Sequence, residues 1–546
     1  VVLTKADSYE AVYDNFTWDI PTSFNMGVDV CDKNAEATPD KVGLIVAEEN
    51  GAATEYTFSA LKRLSNQLAN TLIAKALERG DRMGIFLSQS VEAAVAHVAA
   101  WKMGAISIPL FTLFGEDALK FRLGDSGAKV LITDADHLGR IEAIRDDLPN
   151  LETVLVVDLG PDGAGTADFW NAMEAASDAF APLVTSSEDP SFICYTSGTT
   201  GNPKGALHAH RTLFGHLTGM EMFHDFLPQP GDLMWTPADW AWIGGLMNCL
   251  MCSWHHGVTN LAYRAKKYDP EATLRLIARY NVRNTFMPPT ALNLMRAVKD
   301  IPSYGTDLRT IACAGEPMGA ELLHWGREAF GLTFNEYYGQ TECNLVVANC
   351  QEIMDVKPAS MGRAAPGHKV EVIDADGNVL GPGEVGEIAV RRPDPVMMIK
   401  YWNNPEATWN KYNGDWLLMG DEGTKDEDGY LRFVGRADDV ITSAGYRIGP
   451  GEIEDCLIKH PAVSLAAAIG VPDPVRTEAI KVFIKLMPGN NGDPALEEDI
   501  RNFVKTRLSP HEYPRLIEFV DSLPMTATGK IKRRELRDAE RARSAT

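Results

Sequence analysis

Leu61, Leu64, Leu68 and Leu72 recur at the three-and-four spacing that places side chains on one face of a helix. After Gly80 the run RMGIFL reads as a strand, and AKVLITD and TVLVVD repeat that short apolar pattern with helix-like stretches between them. Such alternation predicts an α/β architecture with largely parallel sheets. From about residue 365 the texture changes, because KVEVIDADGNVLGPGEVGEIAV reads as strands joined by turns, with Asp376-Gly377 as a hairpin signal. DGYLRFVGRADDVITSAGYRIG continues with short strands and glycine turns, PGEIEDCLIKH reads as a helix, and KVFIKLMP as a strand. The polar stretch from Arg436 to Asp439 lies between two strand-like runs and marks a boundary. The expected organisation is therefore an N-terminal domain over 1–437, with a β-rich subdomain over about 355–437, and a small α+β domain over 438–546.

At 546 residues the chain exceeds one ordinary core, which agrees with at least two domains and a cleft between them. With 45% hydrophobic and 23% charged residues it has a globular composition. The net charge of -23 argues against nucleic acid or an anionic membrane surface as the main partner. It also requires that a polyphosphate ligand be met by a local cluster of positive groups. The eight cysteines are scattered, and the one close pair, Cys249 and Cys252, lies in the apolar run WAWIGGLMNCLMCSW. Buried free thiols and a reducing cytoplasm are expected. The opening VVLTKADSYEAVYDNF lacks the basic-then-apolar pattern of a secretory signal. The longest apolar stretch, VEAAVAHVAAWKMGAISIPLF, is interrupted by Glu92, His97 and Lys102, so no membrane span is expected.

YTSGTTGNPKG, from Tyr195 to Gly205, combines three glycines, five hydroxyl side chains and Lys204. A Walker loop would need glycine where Pro203 stands and a hydroxyl residue where Gly205 stands, so this is not one. The physical logic of a phosphate loop still applies. Small residues let backbone N–H groups approach an anion, hydroxyls donate further bonds, and the lysine supplies charge. A flexible turn is the bland alternative, and the strand-like SFICY just before it favours the phosphate loop. His208 and His210 in LHAH have metal-like proximity but no evident third ligand, and are read as structural.

Four further stretches join this one in order: CAGEPM, YYGQTE, GDEG running on to GRADDVITSAGYRIGPGEIE, and PMTATGKIKRREL. Together, from roughly residue 35 to 540, they resemble the adenylate-forming superfamily, which includes acyl-CoA synthetases, peptide-synthetase adenylation domains and firefly luciferase. The resemblance implies a large domain of mixed, largely parallel sheets packed with helices and a small mobile C-terminal domain. It assigns Thr196, Ser197, Gly198, Thr199, Thr200, Gly201 and Lys204 to the loop over the ATP phosphates. Gly315, Glu316 and Pro317 would lie against adenine, with Tyr338 stacked on the base and Gly339 and Gln340 beside it. Thr341 would bond the α-phosphate, Glu342 would hold Mg²⁺, and Asp421 would accept from the ribose hydroxyls. Arg436 and Arg447 would make further basic contacts, Lys530 would be the catalytic lysine, and Asp438 the hinge. Gly445 and Tyr446 fall in the segment expected to meet coenzyme A.

The activity so implied is two-step: an acid and ATP give an acyl-adenylate and pyrophosphate, and CoA then takes the acyl group and releases AMP. The sequence runs sixteen residues past Lys530, so a fused carrier domain is not expected and CoA is the expected acceptor. His511-Glu512 stands where relatives often carry a lysine, so no CoA contact is read there. The acyl pocket is expected along WTPADWAWIGGLMN, with Trp240 and Trp242 shaping it and Gly244 and Gly245 leaving space, against the alternative of aromatic core packing. The chain resembles bacterial short- and medium-chain acyl-CoA synthetases and, among them, 3-methylmercaptopropionate–CoA ligases. A general medium- or branched-chain fatty acid ligase and a stand-alone enzyme loading a carrier protein are the alternatives. A cytoplasmic enzyme with small-molecule partners is expected, and a homodimer is compatible with it.

Overall fold

The computed structural model describes residues 1–159, 165–196, 203–263, 265, 267–437, 439–443, 446–473, 477–507, 512–526 and 530–544. The chain divides into two compact units, Val1–Lys369 with Arg392–Tyr412, and Val370–Arg391 with Asn413–Thr546.

Two sheets organise the first unit. Among the described residues one has nine strands, in which Val42–Ala47, Thr259–Ala262, Leu233–Trp235, Asn284–Phe286, Thr310–Cys313 and Asn335–Gln340 run parallel in that spatial order. Antiparallel strands flank them, Ala53–Thr57 at one edge and Cys343–Ala348 with Arg363–Ala364 at the other. The second sheet has eight strands among the described residues, with a parallel core through Arg82–Phe86, Val130–Asp134 and Thr153–Val157, as the apolar runs predict. One side of this sheet ends in the antiparallel strands Pro190–Thr196, Lys204–Ala209 and Lys400–Tyr401. This is the α/β fold with largely parallel sheets read from the sequence.

The leucine stripe forms the helix Phe58–Ala74, and Leu61, Leu64, Leu68 and Leu72 are all buried. Its start is fixed by Thr57, whose hydroxyl accepts from the Ala60 amide at 3.2 Å. The alanine-rich run forms the helix Val91–Lys102, almost wholly buried and mostly apolar because every face meets protein. Lys102 is tolerated there because it pairs with Asp32 and donates to Ser65 and Asn66 at 2.9 Å each. Among the described residues no helix is long and apolar enough to cross a membrane. All eight cysteines are buried and unbridged, and burial pushes the Cys249 and Cys252 thiols upward.

The second unit begins with an antiparallel sheet of Val370–Ile373, Gly386–Arg391, Trp416–Lys425 and Leu431–Arg436. The Asp376-Gly377 turn forms, with Gly377 at φ 86° and the Asp374 carboxylate accepting from the amides of Asp376 and Asn378. It closes only a single bridge, Ile373 to Val379, before the glycine- and proline-rich stretch delivers the partner strand further on. A second sheet follows, built on the long antiparallel pair Val463–Asp473 and Thr477–Leu486, with Leu516–Phe519 added in parallel. The helices Pro450–Ile458, Pro494–Arg507 and Arg533–Ser544 complete this α+β region.

Candidate active site

The glycine-rich stretch connects two antiparallel strands, with Tyr195 opposite Gly205 and Thr196 opposite Lys204. Ser197, Gly198, Thr199, Thr200 and Gly201 lie outside the described residues. Thr196 and Lys204 flank them, both half-buried, with the Thr196 hydroxyl 3.5 Å from the Lys204 carbonyl. The hairpin end is anchored from the side, since the Tyr195 hydroxyl donates to Asp125 at 2.6 Å. His208, further along the same strand, is fully buried and stacks on Phe192 with ring centres 4.7 Å apart. Burial drives its imidazole down to about 3, so it is neutral.

YYGQTE forms a second hairpin. Gln340 pairs with Cys343, which makes Thr341 and Glu342 the two turn residues. Gly339 is required by close approach, because a Cβ there would lie 2.1 Å from the Leu345 nitrogen. The two tyrosines part company. Tyr337 is buried, stacked on Phe223 at 4.4 Å, and its hydroxyl accepts from Asn248 at 3.1 Å. Tyr338 is only half-buried. Asn344 donates to Asn248 at 2.7 Å and also reaches His216 Nε2, so a buried polar chain links this hairpin to the helix Gly244–Met251.

Two residues that the sequence reading passed over meet the hairpin. Lys411 donates to the Gln340 side chain at 3.1 Å. Tyr401 donates its hydroxyl to Glu342 Oε1 at 2.5 Å, and the Lys204 ammonium lies 5.4 Å from the same tyrosine's ring centre. No local pattern in MIKYWNN signals this; the chemistry appears only when three segments converge.

CAGEPM leaves the carboxyl end of the parallel strand Thr310–Cys313, next to Asn335–Gln340, the position where α/β sheets offer ligand crevices. Gly315 has φ 89° and Gly315 and Pro317 are exposed, while half-buried Glu316 accepts from the Thr290 hydroxyl at 2.7 Å. Beneath the loop the buried Glu336 carboxyl accepts from the Met318 amide at 3.3 Å, and burial raises it to about 8.

Along WTPADWAWIGG, Trp240 is buried in the core, whereas Trp242 is half-buried and packs against Phe111 and Phe114 at 5.4 and 6.3 Å. A Cβ on Gly244 would meet Phe286 and the Tyr337 hydroxyl only at ordinary contact, 3.4 and 3.7 Å. Gly245 differs, since its Cβ position is 2.4 Å from the Asp239 carbonyl oxygen. That glycine lets the preceding loop close onto the helix.

In the second unit Asp421 is buried and sits directly opposite Arg436, with Nη1 to Oδ1 at 3.0 Å. Lys530 is exposed, its carbonyl accepting from the Thr526 amide and its amide donating to the Thr526 hydroxyl. Tyr446 and Arg447 lie on the strand Tyr446–Ile448, while Asp438, Gly445 and His511 lie outside the described residues. Arg533 and Arg537 of the basic tail are engaged within the unit. Arg537 pairs with Asp439 at 2.6 Å and Arg533 with Glu454 at 2.5 Å.

Parallel strands presenting polar turns at their carboxyl ends place a ligand crevice where α/β folds commonly have one. The sequence profile of the AMP-binding enzyme family matches residues 31–402, and that of the AMP-binding enzyme C-terminal domain matches residues 452–530. The chain belongs to the AMP-binding enzyme family. It is 36% identical to the acetyl-coenzyme A synthetase of Bacillus subtilis (strain 168), over 97% of this chain and 94% of that protein. It is also 36% identical to the human mitochondrial acyl-coenzyme A synthetase ACSM4, over 98% and 94%. Among solved structures it is similar to the anthranilate CoA ligase AuaEII in complex with anthranoyl-AMP, with a TM-score of 0.87 and 30% identity over 97% of this chain and 99% of that one. ATP-bound MatB from Rhodopseudomonas palustris gives a TM-score of 0.82 at 27% identity, over 94% and 98%.

Proposed function

We propose that this AMP-forming acyl-CoA synthetase activates 3-(methylthio)propanoate or a similar short- or medium-chain acid. ATP, Mg²⁺ and coenzyme A are the other participants. The observation that carries the site reading is the convergence of Lys204 and the Thr341–Glu342 turn on one tyrosine at the end of two hairpins.

In the first step a carboxylate oxygen of the acid attacks the α-phosphorus of ATP, and the bond to pyrophosphate breaks. The acid is already ionised near pH 7, so no general base is needed. The difficulty is an anion approaching a polyanion, and preorganised positive groups and N–H donors relieve it. Thr196 to Lys204 cradle the phosphates, Thr341 holds the α-phosphate, and Lys530 stabilises the in-line transition state. Gly315, Glu316, Pro317 and Tyr338 receive adenine, with Gly339 and Gln340 shaping the turn beside it. The buried Asp421 carboxylate, paired with the partly exposed Arg436, meets ribose, and Arg447 adds a basic contact. A hard cation takes oxygen ligands partly from substrate phosphates, and the braced carboxylate of Glu342 fits that requirement. When bound, Mg²⁺ supplies neutralisation of phosphate charge.

In the second step the CoA thiol attacks the acyl carbonyl, the bond to AMP breaks, and AMP leaves. We assign the domain boundary to 437/438, with Asp438 as the hinge about which 438–546 rotates between steps, bringing Gly445 and Tyr446 to CoA. Trp242 with Phe111 and Phe114, beside Gly244, supplies an aromatic lining, and a thioether sulfur gains about 0.3–1.5 kcal/mol from such edges. A cytoplasmic setting and a homodimer are part of the same reading.

The test is AMP release with CoA across acids from acetate to octanoate plus thioether acids. The highest kcat/KM is expected for 3-(methylthio)propanoate. A maximum at octanoate would instead make this a general medium-chain ligase, and transfer to a carrier protein in preference to CoA would make it a loading enzyme.

A further inference from the structure

Residues 397–402 lie across both hairpins of the site. At one end Met397 bridges Cys343, and the Met398 amide donates to the Glu342 carbonyl at 2.8 Å. At the other end the Ile399 amide donates to Leu207 and the Trp402 amide to Gly205, each at 2.7 Å, with Tyr401 in register opposite Ala206. The Trp402 indole adds a bond to the Asp125 carbonyl at 3.1 Å. Tyr401 therefore stands on backbone that is hydrogen-bonded to the strand after the glycine-rich stretch and to the turn that carries Glu342. Its side chain repeats that bridge. The ring, 4% exposed, faces the Lys204 ammonium at 5.4 Å, within the range of a cation–π contact, while the hydroxyl donates to Glu342 Oε1.

We propose that Tyr401 is a positioning residue for adenylate formation: its hydroxyl orients the Glu342 carboxylate toward the divalent cation while its ring seats the Lys204 ammonium. One rigid aromatic side chain thereby sets the spacing between the two opposite charges that handle the phosphates. A hydrogen bond to one carboxylate oxygen removes the rotation that Glu342 would otherwise have on a two-residue turn. Partners of this kind orient metal ligands, and losing one typically costs 10–100-fold in metal affinity or activity. The proposal rests on the reading of Glu342 as the metal ligand and Lys204 as the phosphate lysine.

The experiment compares Tyr401→Phe, Tyr401→Leu and Glu342→Gln in the full-length protein. Tyr401→Phe keeps the ring and removes only the hydroxyl. We expect it to melt close to the parent, to lower kcat for pyrophosphate release about 10–100-fold, and to raise the Mg²⁺ concentration needed for half-maximal rate. A readout independent of turnover is Mn²⁺ binding by electron paramagnetic resonance with a non-hydrolysable ATP analogue, where the same variant should bind the metal more weakly. Tyr401→Leu should in addition raise the KM for ATP above that of Tyr401→Phe, because the Lys204 ammonium loses its ring. Parental metal dependence and Mn²⁺ affinity in Tyr401→Phe, with Glu342→Gln impaired in both, overturns the role of Tyr401 alone. Parental metal affinity in Glu342→Gln overturns the assignment of Glu342 on which it rests.

Discussion

The two units hold their polar groups in different ways. In the first, Lys204, Thr341 and Glu342 stand at hairpin ends locked by backbone ladders and by a buried tyrosine. In the second, Lys530 is exposed with its backbone bonded twice to Thr526, and ion pairs tie the following helix to its own unit. Under the proposed two-step reaction, in which Lys530 acts in the first step and is absent from the second, a fixed cradle and an exposed ammonium would suit the two roles. The contrast is one of preorganisation. Groups that bind phosphate gain from a rigid, low-dielectric setting, whereas a lysine that has to arrive and leave gains from exposure.

The largest effect should come from Lys530→Ala. Pyrophosphate release should fall by about 10²–10³-fold or more while ATP binding by calorimetry stays near the parent, and an unchanged release rate would end the comparison. Next is Gly339→Ala, which forces a methyl to within 2.1 Å of the Leu345 nitrogen. Something in the hairpin must shift, and a 1 Å misplacement of catalytic groups can cost about 10²-fold. Both steps should suffer, together with the melting temperature, and a variant with parental kinetics would show that the turn is not rigid.

Asp439→Ala is a smaller perturbation of the second unit. It leaves Arg537 and Arg533, both largely buried, without a carboxylate that lies 2.6 and 3.6 Å away. A loss of about 1–3 kcal/mol is expected. Hydrogen exchange should rise across the helix Arg533–Ser544 while the first unit's strands stay protected.

A pH-dependent effect is expected of Glu336→Gln. With its carboxyl raised from 4.5 to about 8 by burial, the folded protein holds a proton there that the unfolded chain has released. The group's favourable contribution is complete below the unfolded value and is lost as pH rises toward about 8, since stability falls wherever the folded state binds more protons. Glutamine keeps an acceptor for the Met318 amide without the titration. The variant should therefore gain melting temperature relative to the parent between pH 5 and pH 9, and a constant difference would contradict a neutral Glu336.

Some of this was legible because the signal was local. The leucine stripe needed only helical spacing to predict Phe58–Ala74, and the apolar runs at Arg82, Val130 and Thr153 needed only length to read as strands. Other features had no local signature. The WAWIGG glycines look alike in sequence, yet a side chain on Gly245 would strike the Asp239 carbonyl while one on Gly244 would not. RRELRDAERAR carries no local sign of burial, yet Arg533 and Arg537 are largely buried against Glu454 and Asp439. Tyr401 is one aromatic among many until its strand is laid against Lys204–Ala209.

What the sequence determined by itself was the order of elements and the identity of the short polar segments, because propensity, periodicity and motif spacing act over a few residues. What the tertiary structure decided was which side chains face one another: Asp421 opposite Arg436, Tyr401 on Glu342, Lys204 over the same ring. Those pairings depend on strand register and on crossovers between distant segments. A one-residue slip would turn each side chain to the other face of its sheet, and no short stretch of chain contains that information.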